Sequence, residues 1–440
     1  MPKETPKHEE HLQRSLSPLL LWGLGVGYVI SGMYFGWNLG LEKGGTLGMA
    51  IATILVIVMY IGFVLCYTEL ACAIPKAGGA FDYSNRAFGR DGGFMAGMAQ
   101  NLEFIFAPPA IAAGIGSYLN LYFPSIPPLA IALCVYVIFT LLNILGTKLA
   151  ASVELVITIV AVLGLLTFAF FTLPEVKLVN LQKNAFSGGV SGIFAAIPFA
   201  IWFFLGIEGL ANVAEESINP QRDMTKGFGS AMATLVLICV LTFIGSIGIN
   251  GWQQVVYNPN GTVSDSPLPL VTAFLLGENH WFYQLLIAFG LFGLGASFHG
   301  LIMAAGRATY EFGKVGNAPS FIGKIHPKYK TPTNALLVNM LIGMGALLSN
   351  STADIIILSV MGALTMYAFS IVALLQLRKK EKSLKRPFST PLYPYFPLIS
   401  LFIIIASMLA MVFYNPALFM WYAGLMLAAF IGFKLFRSKH

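Results

Sequence analysis

Residues 23–38 read Gly23-Leu24-Gly25-Val26-Gly27-Tyr28-Val29-Ile30-Ser31-Gly32-Met33-Tyr34-Phe35-Gly36-Trp37-Asn38, in the middle of an apolar run that spans 18–40. Glycine loosens a helix, and inside lipid an opened helix is tolerated only where its freed amides and carbonyls face protein or a water-filled cavity. A second stretch has the same character. It reads Pro198-Phe199-Ala200-Ile201-Trp202-Phe203-Phe204-Leu205-Gly206-Ile207-Glu208-Gly209-Leu210-Ala211-Asn212, within the sixth apolar run. Interruptions at Ser31-Gly32 and from Gly206 to Gly209 would begin the two halves of a chain built from five-helix inverted repeats, where broken helices form a binding site near the midplane. Small residues also serve close helix packing, and the Gly23, Gly25, Gly27 stripe suits that role equally well.

The rest of the chain agrees with a membrane setting. Of 440 residues, 57% are hydrophobic and only 10% charged, with a mean hydropathy of +0.76. A soluble domain carries about 25% charge, so a water-soluble enzyme is excluded. The pattern predicts twelve spans, at 18–40, 47–73, 93–119, 128–146, 151–173, 191–214, 227–249, 280–309, 334–349, 354–377, 393–414 and 416–436. The last two are divided by a helix break at Asn415-Pro416. With an inner amino terminus, 23 of the 26 Lys and Arg residues fall on the cytoplasmic side, leaving Lys43, Lys177 and Lys183 outside. That segregation follows the positive-inside rule, so both termini are expected to be cytoplasmic. The net charge of +7 is then topological, which argues against a nucleic-acid partner. The expected organisation is a cytoplasmic tail (1–17), a ten-helix transport core (18–377), a basic cytoplasmic loop (378–392), two additional helices (393–436) and a cytoplasmic carboxyl end (437–440). No cleavable signal peptide is expected, because the first apolar run follows a polar leader and is long. Cys66, Cys72, Cys134 and Cys239 have no paired spacing for zinc or disulfides and read as packing residues.

Several ordered motifs carry a resemblance. They are the Ser31-Gly32 break; Thr68-Glu69-Leu70 and Ile74-Pro75-Lys76-Ala77-Gly78-Gly79-Ala80, ending in Arg86-Ala87-Phe88-Gly89; Phe203 to Gly209 with Ala214-Glu215-Glu216; Asn219-Pro220-Gln221-Arg222; and Gly306-Arg307 towards Gly316-Asn317-Ala318-Pro319. Through them the chain resembles the amino acid-polyamine-organocation transporter superfamily over nearly its whole length. Within it the chain is most similar to ethanolamine permeases, through Ile30 to Gly40, Ala99-Gln100-Asn101-Leu102-Glu103-Phe104 and Pro108-Pro109-Ala110-Ile111-Ala112-Ala113. The resemblance implies an all-α integral membrane protein of twelve transmembrane helices. The implied fold is a LeuT-like five-plus-five inverted repeat with helices 1 and 6 broken, plus two additional helices. It implies a secondary active transporter that imports ethanolamine across the cytoplasmic (inner) membrane by alternating access, or alternatively an amino acid or other small organic amine symporter or exchanger. Typical amino acid carriers lead into a small Gly-Ser-Gly-like turn that receives the substrate carboxylate. Here Ile30 precedes Ser31-Gly32 and bulky Met33 and Tyr34 follow, which counts against carboxylate recognition.

A small ammonium ion with a hydroxyl needs a counter-charge, aromatic faces and hydrogen-bond partners, with desolvated cation–π contacts reaching about 2 kcal/mol. Glu103 lies well inside span 3, where an ionisable group costs about 2.5–3.5 kcal/mol to insert and marks a functional site by default. It is the first choice for the counter-ion, against a core carboxyl that fastens helices. Glu208, at the break in span 6, has two open roles: facing the cation, or holding the unwound segment as a protonation-linked gate. Trp202, Phe203, Phe204, Phe199, Tyr34, Phe35 and Trp37 are the rings available to enclose an ammonium, and Trp202 and Tyr34 stand out as neighbours of the breaks. Gln100 shares a helix face with Glu103 and, like Ser31, suits a substrate hydroxyl.

His299 in span 8 is a proton relay or a satisfied core histidine. Glu69, Glu215, Glu216, Arg222 and Arg307 lie towards the cytoplasmic face, as gate ion pairs or a solvated surface. Glu154 is expected to pair with Lys148. Some members of the superfamily place a lysine in span 5; alignment puts Ala161 there, so a co-transported proton needs Glu103, Glu208 or His299. A cation can also enter down the membrane potential, worth about 2.3 kcal/mol per charge per 100 mV. Symport, uniport and exchange stay open. Polar residues are isolated rather than gathered into a nucleophile–base constellation, so no enzyme, cofactor or metal is expected. The expected partners are membrane lipids and the small amine.

Overall fold

Apolar runs in lipid become helices because each backbone amide must find its partner inside its own segment. The computed structural model describes residues 14–76, 78–146 and 151–437. The placements of Lys3, Lys7, His8, His11, Ala77, Thr147, Lys148, Lys439 and His440, and the Arg437 side chain, lie outside what is described. Twelve segments carry the fold. They are α1 (Pro18–Val29, resuming at Ser31–Tyr34), α2 (Leu39–Ala73), α3 (Arg90–Asn120), α4 (Pro128–Ile144), α5 (Ala151–Thr172) and α6 (Gly189–Trp202, then the 3-10 helix Ile207–Glu216). The second half continues with α7 (Pro220–Asn250), α8 (Trp281–Lys314), α9 (Thr333–Leu347) and α10 (Thr352–Lys380), followed by α11 (Tyr395–Tyr414) and α12 (Pro416–Arg437). Nine helices among the described residues are long and apolar enough to cross a membrane by themselves, and Pro18–Val29, Pro128–Ile144 and Thr333–Leu347 are shorter apolar helices.

Boundaries follow local chemistry. The Ser17 hydroxyl accepts from the Leu20 amide with Pro18 in the first turn, and the Ser351 hydroxyl caps Asp354 at the start of α10. α11 ends at Tyr414 and α12 begins at Pro416, where the sequence demands a break. Equivalent helices of the two halves meet one another: α2 packs on α7, α3 on α8 and α4 on α9, as a pseudo-twofold axis between inverted repeats requires. α2 also packs along α6, and α3 along α10. The Cys134 side chain is exposed rather than packed, whereas Cys66, Cys72 and Cys239 are buried.

The two ends of the bundle differ in charge. At one end Arg86 pairs with Glu381 at 2.6 Å, Arg307 with Glu216 at 3.5 Å and Lys434 with Asp91 at 2.6 Å. Glu69 joins them there, fully buried and ion-paired, so of the two readings left open for it the solvated surface does not hold. Its oxygens accept from Arg378 Nε at 2.8 Å and from the Thr390 amide at 2.7 Å, and Arg386 Nε lies 3.3 Å away. Residues more than 300 positions downstream, invisible to local reading, bring the counter-charge.

The first helix opens in two places. Between Gly27 and Ser31 the backbone hydrogen bond is replaced by the Ser297 hydroxyl of α8, which donates to the Gly27 carbonyl at 2.6 Å and accepts from the Ser31 amide at 3.1 Å. The chain then keeps helical form to Tyr34. It leaves the helix at Phe35, which is extended, and Gly36, whose φ of +87° suits only glycine. The break anticipated at Ser31-Gly32 is therefore a stapled gap, and the true unwinding comes a turn later. Ser297→Ala leaves two buried backbone groups without partners, a loss of roughly 1–3 kcal/mol. A fall in the Tm of the purified protein is the expected result; an unchanged Tm removes the staple from this account.

Candidate functional site

Both breaks meet at the centre of the bundle. α6 ends at Trp202, and Gly206, with a φ of +104°, starts the 3-10 segment that carries Glu208. A Cβ on Gly32 would lie 2.3 Å from the Trp202 carbonyl oxygen, so only glycine lets the two broken helices cross this closely. The Trp202 indole N–H donates to the Phe35 carbonyl at 3.1 Å, fastening one unwound segment to the other.

Glu208 is fully buried and anchored. One carboxyl oxygen accepts from the Gly206 amide at 3.0 Å, and the other from the Tyr367 hydroxyl at 2.9 Å. The Tyr60 hydroxyl lies 3.0 Å from that of Tyr367 and within 3.4 Å of the Ile201 carbonyl, an acceptor for its proton. Glu103, from α3, is also fully buried, and its carboxyl is close enough to Glu208 for the two to interact electrostatically. No hydroxyl, amide or cation among the described residues bonds the Glu103 oxygens. The backbone is locked behind them: the Ser359 hydroxyl donates to the Glu103 carbonyl at 2.9 Å, and Gly362 packs against the Glu103 amide.

Rings flank the acid pair on one side. Tyr60 lies 5.3 Å from Phe204 and 5.5 Å from Tyr367, and Phe63 lies 4.1 Å from Tyr367. Tyr60, Phe63 and Tyr367 were missed by sequence reading, since an aromatic in an uncharged span carries no signal of its own. Other anticipated residues sit elsewhere. Tyr34 turns away to donate to the Ala161 carbonyl at 2.7 Å, with its ring edge-on to Tyr118. Phe199 packs beside Gly40, while Phe203 and Trp37 stack on each other at 5.3 Å. His299 faces Asn143 at 3.1 Å, on the α4 side, away from the acid pair. Ser31 is buried with its amide on Ser297.

Gln100 lies one turn from Glu103 and faces the inner half. Its Nε2 and the Asn212 Oδ1 are buried without hydrogen-bond partners among the described residues, and both lie near Gly79. Glu154 is buried beside Gly27 and Thr158. At the basic end, Ser15 and Leu16 amides donate to the Glu216 carbonyl and the Ile218 amide to that of Leu16, closing that side over Glu216 and Arg307. Glu215 and Arg222 lie in the same region, the latter exposed. On the opposite side Asn38 holds the loop before α8: its Nδ2 donates to the Ser264 carbonyl at 2.8 Å and its Oδ1 accepts from the Gly36 amide at 3.0 Å.

Comparison with known proteins places this arrangement. The amino acid permease family model matches residues 16–432. The chain is 26% identical to a methylthioribose transporter of Bacillus subtilis, over 88% of this chain and 86% of that one. It is 25% identical to a branched-chain amino acid permease of the same organism, with the same coverage. A chloroplastic cationic amino acid transporter of Arabidopsis thaliana is 26% identical over 83% of this chain and 65% of its own length. Among solved structures, a variant of the Eremococcus coleocola manganese transporter superposes with a TM-score of 0.59 at 15% identity, covering 99% of this chain and 97% of that one, a likeness of fold. A membrane bundle with two opened helices and a family match over nearly its full length is a transporter rather than an enzyme, and the chain belongs to the amino acid permease family.

Proposed function

We propose that this protein imports ethanolamine, or a closely related small amine, across the cytoplasmic membrane by alternating access, with both termini on the cytoplasmic side. The observation that carries this reading is the buried pair Glu103 and Glu208, for which no ion-pair partner exists among the described residues. Buried charge requires compensation, and a cationic guest supplies it. The ammonium would sit against the two carboxyls with Tyr60, Phe204 and Tyr367 as its aromatic wall, and Gln100 one turn away on α3 suits the hydroxyl. A proton held between the carboxyls is the natural species to be displaced or carried along.

Three amides that a substrate carboxylate would use are already engaged: Ser31 with Ser297, Gly36 with Asn38, and Gly206 with Glu208. That favours an amine without a carboxylate. The second reading, a small amino acid, draws on the named substrates of the relatives, which include branched-chain and cationic amino acids.

Counterflow separates the two. In liposomes holding the purified protein, labelled ethanolamine uptake should be blocked by excess ethanolamine and not by alanine or arginine. Block by amino acids alone overturns the amine assignment.

A further inference from the structure

The outer face holds a second feature, unconnected with the acid pair in sequence. A cavity of about 490 Å³ lies between the outer ends of α3 and α4, the loop before α8 and the α9–α10 turn. Asp265 is the one charged residue lining it, and no other titratable side chain from these elements faces it. The remaining polar lining is amide and hydroxyl. The Asn120 side-chain NH₂ is spent on the Phe123 and Ile126 carbonyls, so that amide keeps only its acceptor oxygen, and Asn258 spends one of its two N–H groups on Thr262. A half-buried carboxylate, alone in charge amid neutral amides and hydroxyls, suits a donor-rich cation.

The cavity is also tied to the centre. Ser117 donates to Ser266, Ser266 bonds Ser264, and the Ser264 carbonyl is held by Asn38, which caps Gly36 at the break in α1. Ile355 lines the cavity floor, and its neighbour Ile356 packs on Gly36. A solute leaving the cavity needs to pass one layer to reach the break.

We propose that this cavity is an antechamber that binds the ammonium group of the arriving solute at Asp265 before it enters the central chamber. The identity of the solute rests on the amine reading above. A structural alternative exists, since Asp265 Oδ2 accepts from the Thr352 hydroxyl at 2.7 Å and so joins the loop to α10. The two roles differ in their thermal signature. Burial pushes the Asp265 carboxyl up to about 6, so above that pH the fold carries a recessed charge that costs stability. Asparagine keeps the acceptor for Thr352 and removes the charge.

The experiment is equilibrium and kinetic binding of labelled ethanolamine to the full-length protein in nanodiscs, for wild type, Asp265→Asn and Glu103→Gln, with Tm measured alongside. Wild type should show two saturable components. Asp265→Asn should lose the outer one and slow association roughly tenfold, with the central affinity intact and Tm unchanged or raised at pH 7.5. In wild type the outer component should fade as pH falls through about 6, where the carboxylate takes up a proton. Retention of both components in Asp265→Asn overturns the proposal, as does loss of both with a lowered Tm, the mark of a structural tie. If Glu103→Gln keeps the central component while Asp265→Asn loses the outer one, the antechamber stands and the central assignment fails. No binding of ethanolamine by wild type sinks both.

Discussion

Glutamine in place of Glu103 is expected to weaken amine binding at least ~100-fold while the protein folds and inserts normally. The new amide can donate to the Glu208 carboxylate, capping the charge an ammonium would use and removing one of its two anionic neighbours. A unit charge 4 Å from its partner is worth about 4 kcal/mol at an effective dielectric of 20, and every 1.4 kcal/mol is tenfold in affinity. Partial compensation by Glu208 keeps the estimate at the lower bound. Scintillation-proximity binding to purified Glu103→Gln protein checks it, with monodispersity as the control for folding. Wild-type affinity in the folded variant removes Glu103 from the counter-ion role.

Glu69→Ala should damage the fold itself. The carboxylate is fully buried and answers two guanidinium groups, Arg378 and Arg386, together with the Thr390 amide. Arg378 also lies over the Tyr393 ring at 4.0 Å, so it has little room to find water. Removing one partner of a buried pair costs about 3–5 kcal/mol, because the other charge stays behind uncompensated. The expected outcome is a large drop in Tm and in yield of monodisperse protein. An exposed pair such as Arg86 with Glu381 makes a suitable contrast, since surface ion pairs are worth about 0–1 kcal/mol. If Glu69→Ala and Glu381→Ala behave alike, the buried cluster does not hold this end together.

The fold was legible because lipid imposes a simple rule on sequence. Runs without charge, such as 47–66 and 355–377, have no stable state in a membrane other than helix, and Asn415-Pro416 leaves one place to divide the last two. The breaks were legible to within a turn. What shifted the first of them was Ser297, a side chain 270 residues from the Gly27 carbonyl it bonds, and no local pattern announces that contact.

The site was legible in its charges and not in its walls. Glu103 and Glu208 stand out singly against apolar surroundings, but their proximity depends on how segments about 100 residues apart pack in the bundle. Tyr367 and Tyr60 look like any aromatic in a span. Tyr34 and His299 were conspicuous in sequence and are satisfied by Ala161 and Asn143, away from the acids. For Glu69 the sequence leaves ion pair and solvated surface equally open, because its partners come from a segment more than 300 residues away.

Asn38 deserves a mechanical reading. Its single carboxamide grips the lid with one end and the kinked strand of the first span with the other. Neither can shift alone without breaking a bond that the other also relies upon. A displacement of the 258–266 loop therefore pulls on the opened turn of the first helix through one planar group acting as a hinge pin.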